Sequence, residues 1–352
     1  MLNTYDRSEY TDVVNNFSIE WQIIPDLLLR GRIGIEQKHT ERNVFKPADH
    51  TDFADYSSAD VFRKGSYRYI PGKEFSYDAG LNLSYSVTFK ERHMLYAGLD
   101  YNIRQNKITG YDILVEGFNN EDFDFLPMGL QYASGVKPAG SESLTRAIGM
   151  TASVNYTYDN RYYIDLSGRT DGASQFGTSR RFAPFWSAGV RWNMDKENFI
   201  KSLGFVDEFV LRGTYGITGS QGFSPYQSLQ MYSYDGMMKL YHSSDVAGSV
   251  LMSMGNPDLK WQQTRNWNVG LDFNFFRGFV SGRVEYYKKF TKNTLLDFTL
   301  APSIGFETIK DNLGDIDNKG YELTLRIMPY NNLKKQMNFN IVLNGSHNDN
   351  RI

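Results

Sequence analysis

The sequence predicts an all-β fold that forms part of an antiparallel up-and-down transmembrane β-barrel. Three observations favour this fold. Apolar and polar residues alternate with period 2 in long windows, helical periodicity is nearly absent, and short and long connections follow each other in turn. Strands of roughly ten or more residues exceed the usual five or six of globular sheets and match a tilted bilayer crossing.

The alternating windows predict about twelve strands. A representative window has Leu81, Leu83 and Tyr85 on one face, with Asn82 and Ser84 on the other. The predicted strands lie near 17–23, 27–36, 81–89, 95–104, 148–158, 162–170, 185–193, 208–217, 267–276, 279–290, 320–328 and 336–346.

The connections between these windows are of two kinds. Short ones are predicted near Pro25, Arg92, Asn160, Arg277–Gly278, 194–207 and 329–335. Long polar and aromatic segments are predicted near 41–73, 106–145, 171–184, 218–262 and 292–315. Because transmembrane barrels place short turns on one side and long loops on the other, this arrangement favours a barrel.

Strand register supports the same interpretation, since paired residues must point to one side of a sheet. A two-residue turn at 277–278 and three-residue turns at 159–161 and at Pro25 bring apolar residues opposite apolar ones and acids opposite bases. The predicted pairs are Phe276–Phe279, Phe275–Val280, Leu271–Val284, Asp272–Arg283, Tyr158–Tyr162, Tyr156–Ile164, Val154–Leu166, Trp21–Leu29 and Glu20–Arg30.

The alternation by itself does not say whether the apolar face meets lipid or a protein core. Aromatic residues near strand ends favour lipid, because amphipathic rings are enriched at membrane interfaces. Ordinary β-propensity also enriches strands in Tyr and Phe, so a soluble sheet stays open as an alternative. The aromatic residues in question are Tyr156, Tyr158, Tyr162, Tyr163, Phe275, Phe276 and Phe279.

Composition excludes several classes of function. The chain has 38 Lys and Arg against 40 Asp and Glu. It therefore lacks the basic excess that is typical of nucleic-acid-binding proteins. It has no cysteine for disulfides, zinc ribbons or thiol nucleophiles, and its five histidines show no metal-ligand spacing. We predict no catalytic residues, no metal and no cofactor, and we interpret both ends as internal to a longer protein.

One aromatic segment, 223–241, is a candidate for ligand or partner contact. It carries Phe223, Tyr226, Tyr232, Tyr234 and Tyr241, and aromatic faces stack on sugar faces and peptide side chains. The alternative is that the segment packs on neighbouring loops. The acidic residues of 121–124 are interpreted as a solvated loop, because their spacing is not that of a calcium loop.

Five runs together resemble the SusC/RagA family of TonB-linked outer-membrane transporters. They are SGRTDGASQF at 167–176, APFWSAGVRW at 183–192, LRGTYGITGS at 211–220, GNPDLKWQQT at 255–264 and NKGYEL at 318–323. Gln262 and Ala173 depart from the family pattern, which usually has Glu and Ser there. The resemblance implies structural roles for Asp171, Gly172, Phe176, Asn256, Pro257, Leu259, Trp261, Asn318 and Gly320.

The resemblance also implies a function. Residues 1–352 would belong to one TonB-dependent receptor β-barrel domain of about 22 strands. The plug, the TonB box, the N-terminal domain and the final strands would lie outside the chain. The parent would lie among lipids of the cell outer membrane of a Bacteroidetes-like bacterium. It would import oligosaccharides or peptides with a SusD-like lipoprotein lid and the TonB complex. A passive porin and a soluble β-rich glycan-binding protein remain alternatives.

Overall fold

The computed structural model describes residues 3–133, 136–177, 181–220, 225–234, 249–332 and 336–352. These residues form long β-strands, short 3₁₀ turns and one four-residue helix, α1 (Asn198–Lys201). The strands are β1 (Tyr5–Ile24), β2 (Leu27–Lys46), β3 (Ser66–Phe89), β4 (His93–Glu116), β5 (Gln131–Tyr132), β6 (Ala139–Tyr158), β7 (Tyr162–Ala173), β8 (Phe182–Asn193), β9 (Val206–Ser220), β10 (Met231–Tyr234), β11 (Ser249–Ser253), β12 (Gln262–Phe275), β13 (Val280–Lys292), β14 (Leu295–Thr299), β15 (Thr308–Asn312), β16 (Ile316–Asn332) and β17 (Met337–Arg351).

Twelve of these strands form one continuous path in a single sheet. Their order is β1-β2-β3-β4-β6-β7-β8-β9-β12-β13-β16-β17, and β5 pairs with the end of β4. Strands β10 and β11 form a separate hairpin, as do β14 and β15. The all-β prediction and the twelve predicted strands are confirmed. The sheet is not closed on itself, because β1 and β17 are the two ends of the path.

The chain divides into two compact units, and the boundaries between them fall inside several strands. One unit comprises Met1–Ile19, Arg32–Gly80 and Ile103–Arg146, and the other comprises Glu20–Gly31, Leu81–Asn102 and Ala147–Ile352. The second unit contains all the strands from β7 onward. Among the described residues, no helix has the length and apolar character needed to cross a bilayer.

The described pairings agree with the register that turn geometry predicted. Strands β6 and β7 pair Tyr158 with Tyr162 and Val154 with Leu166 around a three-residue turn. Two of its residues, Asp159 and Asn160, have positive φ. Strands β12 and β13 give all the predicted pairs within the ladder, namely Phe275–Val280, Leu271–Val284 and Asp272–Arg283. At the first turn, the predicted Glu20–Arg30 contact is an ion pair of 2.8 Å.

Two of the predicted long loops, 41–73 and 106–145, were wrong in their bounds, whereas 218–262 and 292–315 agree with the ends of the sheet strands. Strand β2 runs to Lys46 and β3 begins at Ser66, so the connection predicted at 41–73 shrinks to 47–65. Strand β4 runs to Glu116 and β6 begins at Ala139, so much of the segment 106–145 is strand. Both β3 and β4 have 24 residues. Ladder hydrogen bonds extend these strands past the point where apolar alternation ends, because pairing needs only backbone groups.

One face of the sheet is apolar and largely uncovered. Along β7, β8 and β17, residues Leu166, Val190 and Leu343 are 51%, 58% and 53% exposed. Among the described residues, the buried hydrophobic ones are few, and nine of them form two small clusters, one in each unit. A soluble sheet of this size covers such a face with a second layer. The described residues provide no second layer over this face.

The opposite face carries charges that pair with one another. In the second unit, Asp272 lies 3.1 Å from Arg212 and 2.6 Å from Arg283. Glu285 pairs with Arg212 and lies 3.8 Å from Arg283. These four residues lie on three adjacent strands, β9, β12 and β13. Each cation therefore has two acidic neighbours, which lowers the cost of placing charges on a partly buried face.

Candidate functional site

The family motifs of the second unit meet in a compact cluster, here called the loop anchor, formed by Phe176, Phe185, Asn256, Leu259 and Trp261. The ring of Trp261 stacks on Phe176 at 4.3 Å between centroids and meets the edge of Phe185 at 5.7 Å. Trp261 is 6% exposed and Leu259 is fully buried. Residues distant in sequence thus share one small hydrophobic core.

Hydrogen bonds hold the backbone of the anchor in place. The indole Nε1 of Trp261 donates to the carbonyl of Arg181 at 3.3 Å. The side-chain oxygen of Asn256 accepts from the amide of Asp258 at 3.0 Å, which closes an Asx turn. The Asn256 amide also donates to the carbonyl of Lys310 at 3.0 Å. These contacts explain why Asn precedes Pro at this turn.

Asn312, at the end of β15, binds the backbone of the anchor at Lys260. Its Oδ1 accepts from the amide of Lys260 at 2.7 Å, and its Nδ2 donates to the carbonyls of Lys260 at 3.1 Å and Asn293 at 2.8 Å. Sequence reasoning missed this residue. The β14–β15 hairpin that positions it has no strong alternation, so the only available signal was an Asn beside an Asp in a loop.

The backbone of the 174–177 segment also lies against the anchor. A β-carbon at Gly177 would overlap the carbonyl of Pro257, so only glycine permits this approach. The buried hydroxyl of Ser228 donates to the carbonyl of Gln175 at 3.0 Å. The anchor therefore ties together the connections that follow β7, β9 and β13.

The anchor packs against residues of both faces at the ends of β8 and β9. Phe185 pairs with Arg169 in the β7–β8 ladder, and Trp186, the next residue, belongs to the apolar face. The ring of Trp261 packs on both Phe176 and Phe185, and Ile217, which the ladder sets opposite Trp186, also packs against the cluster. The described parts of the connections that follow β7 and β9 are therefore held together at one end of the sheet.

The other predicted motif residues lie outside the anchor. Asp171 accepts from the guanidinium of Arg169 at 2.7 Å on the polar face, and Gly172 lies against the ring of Phe182. On β16, Asn318 donates to the side chain of Asn348 at 2.9 Å. Gly320 pairs with Asn348 and approaches the Tyr287 ring so closely that a β-carbon would overlap it.

The aromatic segment is only partly described. Tyr226 has a positive φ in a turn, where its carbonyl accepts from the amide of Leu229 at 2.8 Å. Tyr232 lies on β10 and is 60% exposed. Tyr234 ends β10, while its side chain and the predicted contacts Phe223 and Tyr241 lie outside the described residues. Tyr232 is thus the described aromatic of this set that is open to a ligand.

A band of aromatic rings marks the end of the sheet with short turns. His93 lies 5.0 Å from Tyr158, Tyr158 stacks on Tyr162 at 6.3 Å, and Tyr162 stacks on Trp192 at 6.2 Å. The Tyr162 hydroxyl donates to Glu197 at 2.6 Å. That hydrogen bond, followed by the one from Trp192, lowers the pKa of the Glu197 carboxyl, which lies in the connection outside the strands. The rings follow the apolar face, which is typical of a membrane interface.

Tyr163 is the exception to the predicted band. It pairs with Arg191, whose guanidinium lies 5.5 Å from the centre of the Tyr163 ring. Tyr163 therefore belongs to the polar face, because neighbouring residues of a strand point to opposite sides. The prediction that it joins the other rings was wrong. In the described parts of the chain, no three acidic or His side chains come together as a metal site.

Comparison with known proteins decides the family. A family model described as TonB dependent receptor-like, beta-barrel matches residues 2–350. The chain belongs to this family.

Members of the family with curated names are similar along the whole chain. TonB-dependent receptor P39 of Formosa agariphila is 25% identical over 352 residues, which cover 100% of this chain and 32% of that protein. TonB-dependent receptor SusC of Bacteroides thetaiotaomicron is 25% identical, with 99% and 33% covered. The chain spans about a third of the length of these relatives.

A solved structure described as the RagAB peptide transporter has the same fold. Its TM-score is 0.86 at 23% identity, and the match covers 99% of this chain and 37% of that one. The ferric citrate transporter FecA gives a TM-score of 0.54 at 10% identity. The predicted resemblance to SusC and RagA is confirmed by these family members.

Proposed function

We propose that this chain forms part of the wall of a TonB-dependent transporter in the outer membrane of a Gram-negative bacterium, and that it has no enzymatic role. One observation carries the proposal: a single sheet leaves a continuous apolar face uncovered while its other face pairs charges. In a membrane barrel, hydrocarbon tails cover the apolar face, and the charged face lines a polar lumen. The exposed fractions of Leu166 and Val190, 51% and 58%, argue against a soluble glycan-binding sheet.

Residues 1–352 would be one portion of the receptor barrel, as the single family match over 2–350 supports. The plug, the TonB box and the strands that complete a barrel of about 22 strands would belong to other parts of the parent protein. Energy would come from the TonB complex acting on those parts. In this portion, the ion pairs of Arg212, Asp272, Arg283 and Glu285 would line the lumen around the plug.

The transported substrate would be a bulky nutrient, an oligosaccharide or a peptide, delivered beneath a SusD-like lipoprotein lid. The similarity to SusC and to the RagAB peptide transporter supports this class. The loop anchor supports it physically, because it holds parts of the long connections together at the end of the sheet where a substrate would enter. Tyr232, exposed on its hairpin beside the anchored connection, is our candidate for substrate contact.

Uptake by cells that carry the intact parent protein tests the proposal. Three strains are compared: one lacks the protein, one has it restored, and one has it restored but lacks active TonB. Each is tested for uptake of labelled oligosaccharide and peptide mixtures. We expect uptake of one class to need both the protein and TonB. Uptake that persists without TonB would instead indicate a passive porin. Tyr232→Ser should weaken uptake, whereas Tyr321→Ser, on the apolar face, should not.

A further inference from the structure

A pocket opens on the apolar face, at the end of the sheet with long connections. It is a cavity of about 370 Å³ lined by Tyr215, Arg265, Trp267, Lys288, Phe290 and Asp317. The ladder sets Trp267 opposite Lys288 and Arg265 opposite Phe290. These four residues form a square in which each cation has an aromatic residue across from it on the paired strand. Tyr215 and Asp317 flank the square from the neighbouring strands β9 and β16.

The two cations are unusual for their face. Trp267, which is 56% exposed, continues the apolar row of Val269 and Leu271, and Arg265 lies two residues further along the same row. A charge on the lipid side is costly at the bilayer midplane and tolerated near the interface. Arg265 and Lys288 therefore mark the headgroup level, next to rings that prefer that level.

The polar groups of the pocket are incompletely paired. Lys288 Nζ lies 3.7 Å from Asp317 Oδ2. Asp317 Oδ1 is buried and accepts no hydrogen bond from the described residues. In the described part of the chain, no carboxylate forms an ion pair with Arg265. The pocket thus offers a guanidinium without a carboxylate partner and a carboxylate that has one long ion pair and one oxygen without a hydrogen bond.

We propose that this pocket binds a lipid headgroup that carries both a phosphate and a primary ammonium. The guanidinium of Arg265, with Lys288 beside it, would hold the phosphate, since Arg matches phosphate geometry with two parallel hydrogen bonds. The ammonium would donate to Asp317 and lie against the faces of Trp267 and Phe290. The proposal rests on the proposed function in one respect, because it needs this face to meet lipid.

The chemistry of the lining selects this headgroup over simpler ones. A purely anionic headgroup would satisfy Arg265 but would place negative charge beside Asp317. A choline headgroup would lie well on the rings, yet its quaternary nitrogen has no N–H to donate to the carboxylate. A headgroup with both a phosphate and N–H donors complements both the Arg265 guanidinium and the Asp317 carboxylate.

Lipid retention by the intact parent protein tests the assignment. The protein is reconstituted in nanodiscs with equal parts phosphatidylethanolamine, phosphatidylglycerol and phosphatidylcholine, then released and examined by native mass spectrometry. We expect about tenfold preferential retention of phosphatidylethanolamine, equivalent to about 1.4 kcal/mol. Arg265→Gln should reduce retention of all three lipids, whereas Asp317→Asn should remove only the preference for ethanolamine over glycerol.

Lys289→Gln is the matched control, because it removes the same charge one residue away from Lys288 and on the opposite face. It should leave retention and preference unchanged, whereas Lys288→Gln should reduce retention of all three lipids. Equal retention of the three lipids, or an unchanged preference in Asp317→Asn, would overturn the pocket assignment while lipid association persists. Failure to associate with lipid at all would instead contradict the proposed function. If soluble glycerophosphoethanolamine displaces the lipid at equal concentration, the pocket takes a free ligand, which also overturns the assignment to lipid.

Discussion

Replacing Trp261 by alanine should release the loop anchor. The change removes a ring that is 6% exposed, its stacking on Phe176 at 4.3 Å, its contact with Phe185 at 5.7 Å and its hydrogen bond to Arg181. Large aromatic-to-alanine changes in cores cost about 3–5 kcal/mol. Because every 1.4 kcal/mol is tenfold, the locally open state should become at least about 100 times more populated.

Cleavage after Lys260 reports this opening, since the Lys260 backbone is held by Asn312 on both sides. When opening and closing are fast relative to cleavage, the rate of cleavage follows the population of the open state. We therefore expect a lysine-specific protease to cut the intact protein in detergent at Lys260 about 100-fold faster in Trp261→Ala.

Trp186→Ala is the matched control. Trp186 is 47% exposed on the apolar face and has a ring contact with Tyr215 at 5.4 Å, away from the anchor. Its replacement should leave cleavage at Lys260 unchanged. If Trp261→Ala and Trp186→Ala differ by less than about twofold, the anchor does not hold this connection and the reasoning fails.

Two further predictions concern polar contacts of the second unit. Asn312→Ala removes three hydrogen bonds to the backbone, so the anchor should lose about 1–3 kcal/mol and cleavage at Lys260 should rise roughly tenfold or more. Asn318→Ala, which removes an exposed side-chain pair, is its control, and equal rates in the two variants would be evidence against this role of Asn312. Asp272→Asn leaves Arg212 and Arg283 short of one acidic partner, and it should lower the free energy of unfolding in detergent by about 1–2 kcal/mol. That deficit should shrink in high salt, and a variant as stable as the wild type would contradict a stabilising role for these ion pairs.

The arrangement of strands could be predicted from the sequence because two local rules determine it. Alternation places Leu271 and Asp272 on opposite faces, and a turn of known length then decides which residue lies across from each of them. Where alternation fades, prediction failed. The outer halves of β3 and β4 read as loops, although their backbones continue the ladder.

The loop anchor could not be assembled from the sequence alone. The runs containing Phe176 and Trp261 were recognised, but their contact joins residues 85 positions apart, and no local pattern specifies that distance. Asn312 was missed because an asparagine that binds a distant backbone looks like any turn residue. Tyr163 was assigned with its aromatic neighbours although strict alternation already put it on the polar face.

The identity of the surface that meets the apolar face decides the whole account. The chain has no cysteine, so single cysteines introduced at 164, 165, 166 and 167 can each carry one spin label in this chain. In the intact protein in lipid, labels at Ile164 and Leu166 should be relaxed by lipid-soluble oxygen, and labels at Asp165 and Ser167 by a water-soluble nickel complex. Nickel access at Ile164 and Leu166, or shielding of both from oxygen and nickel alike, would contradict a lipid-facing wall.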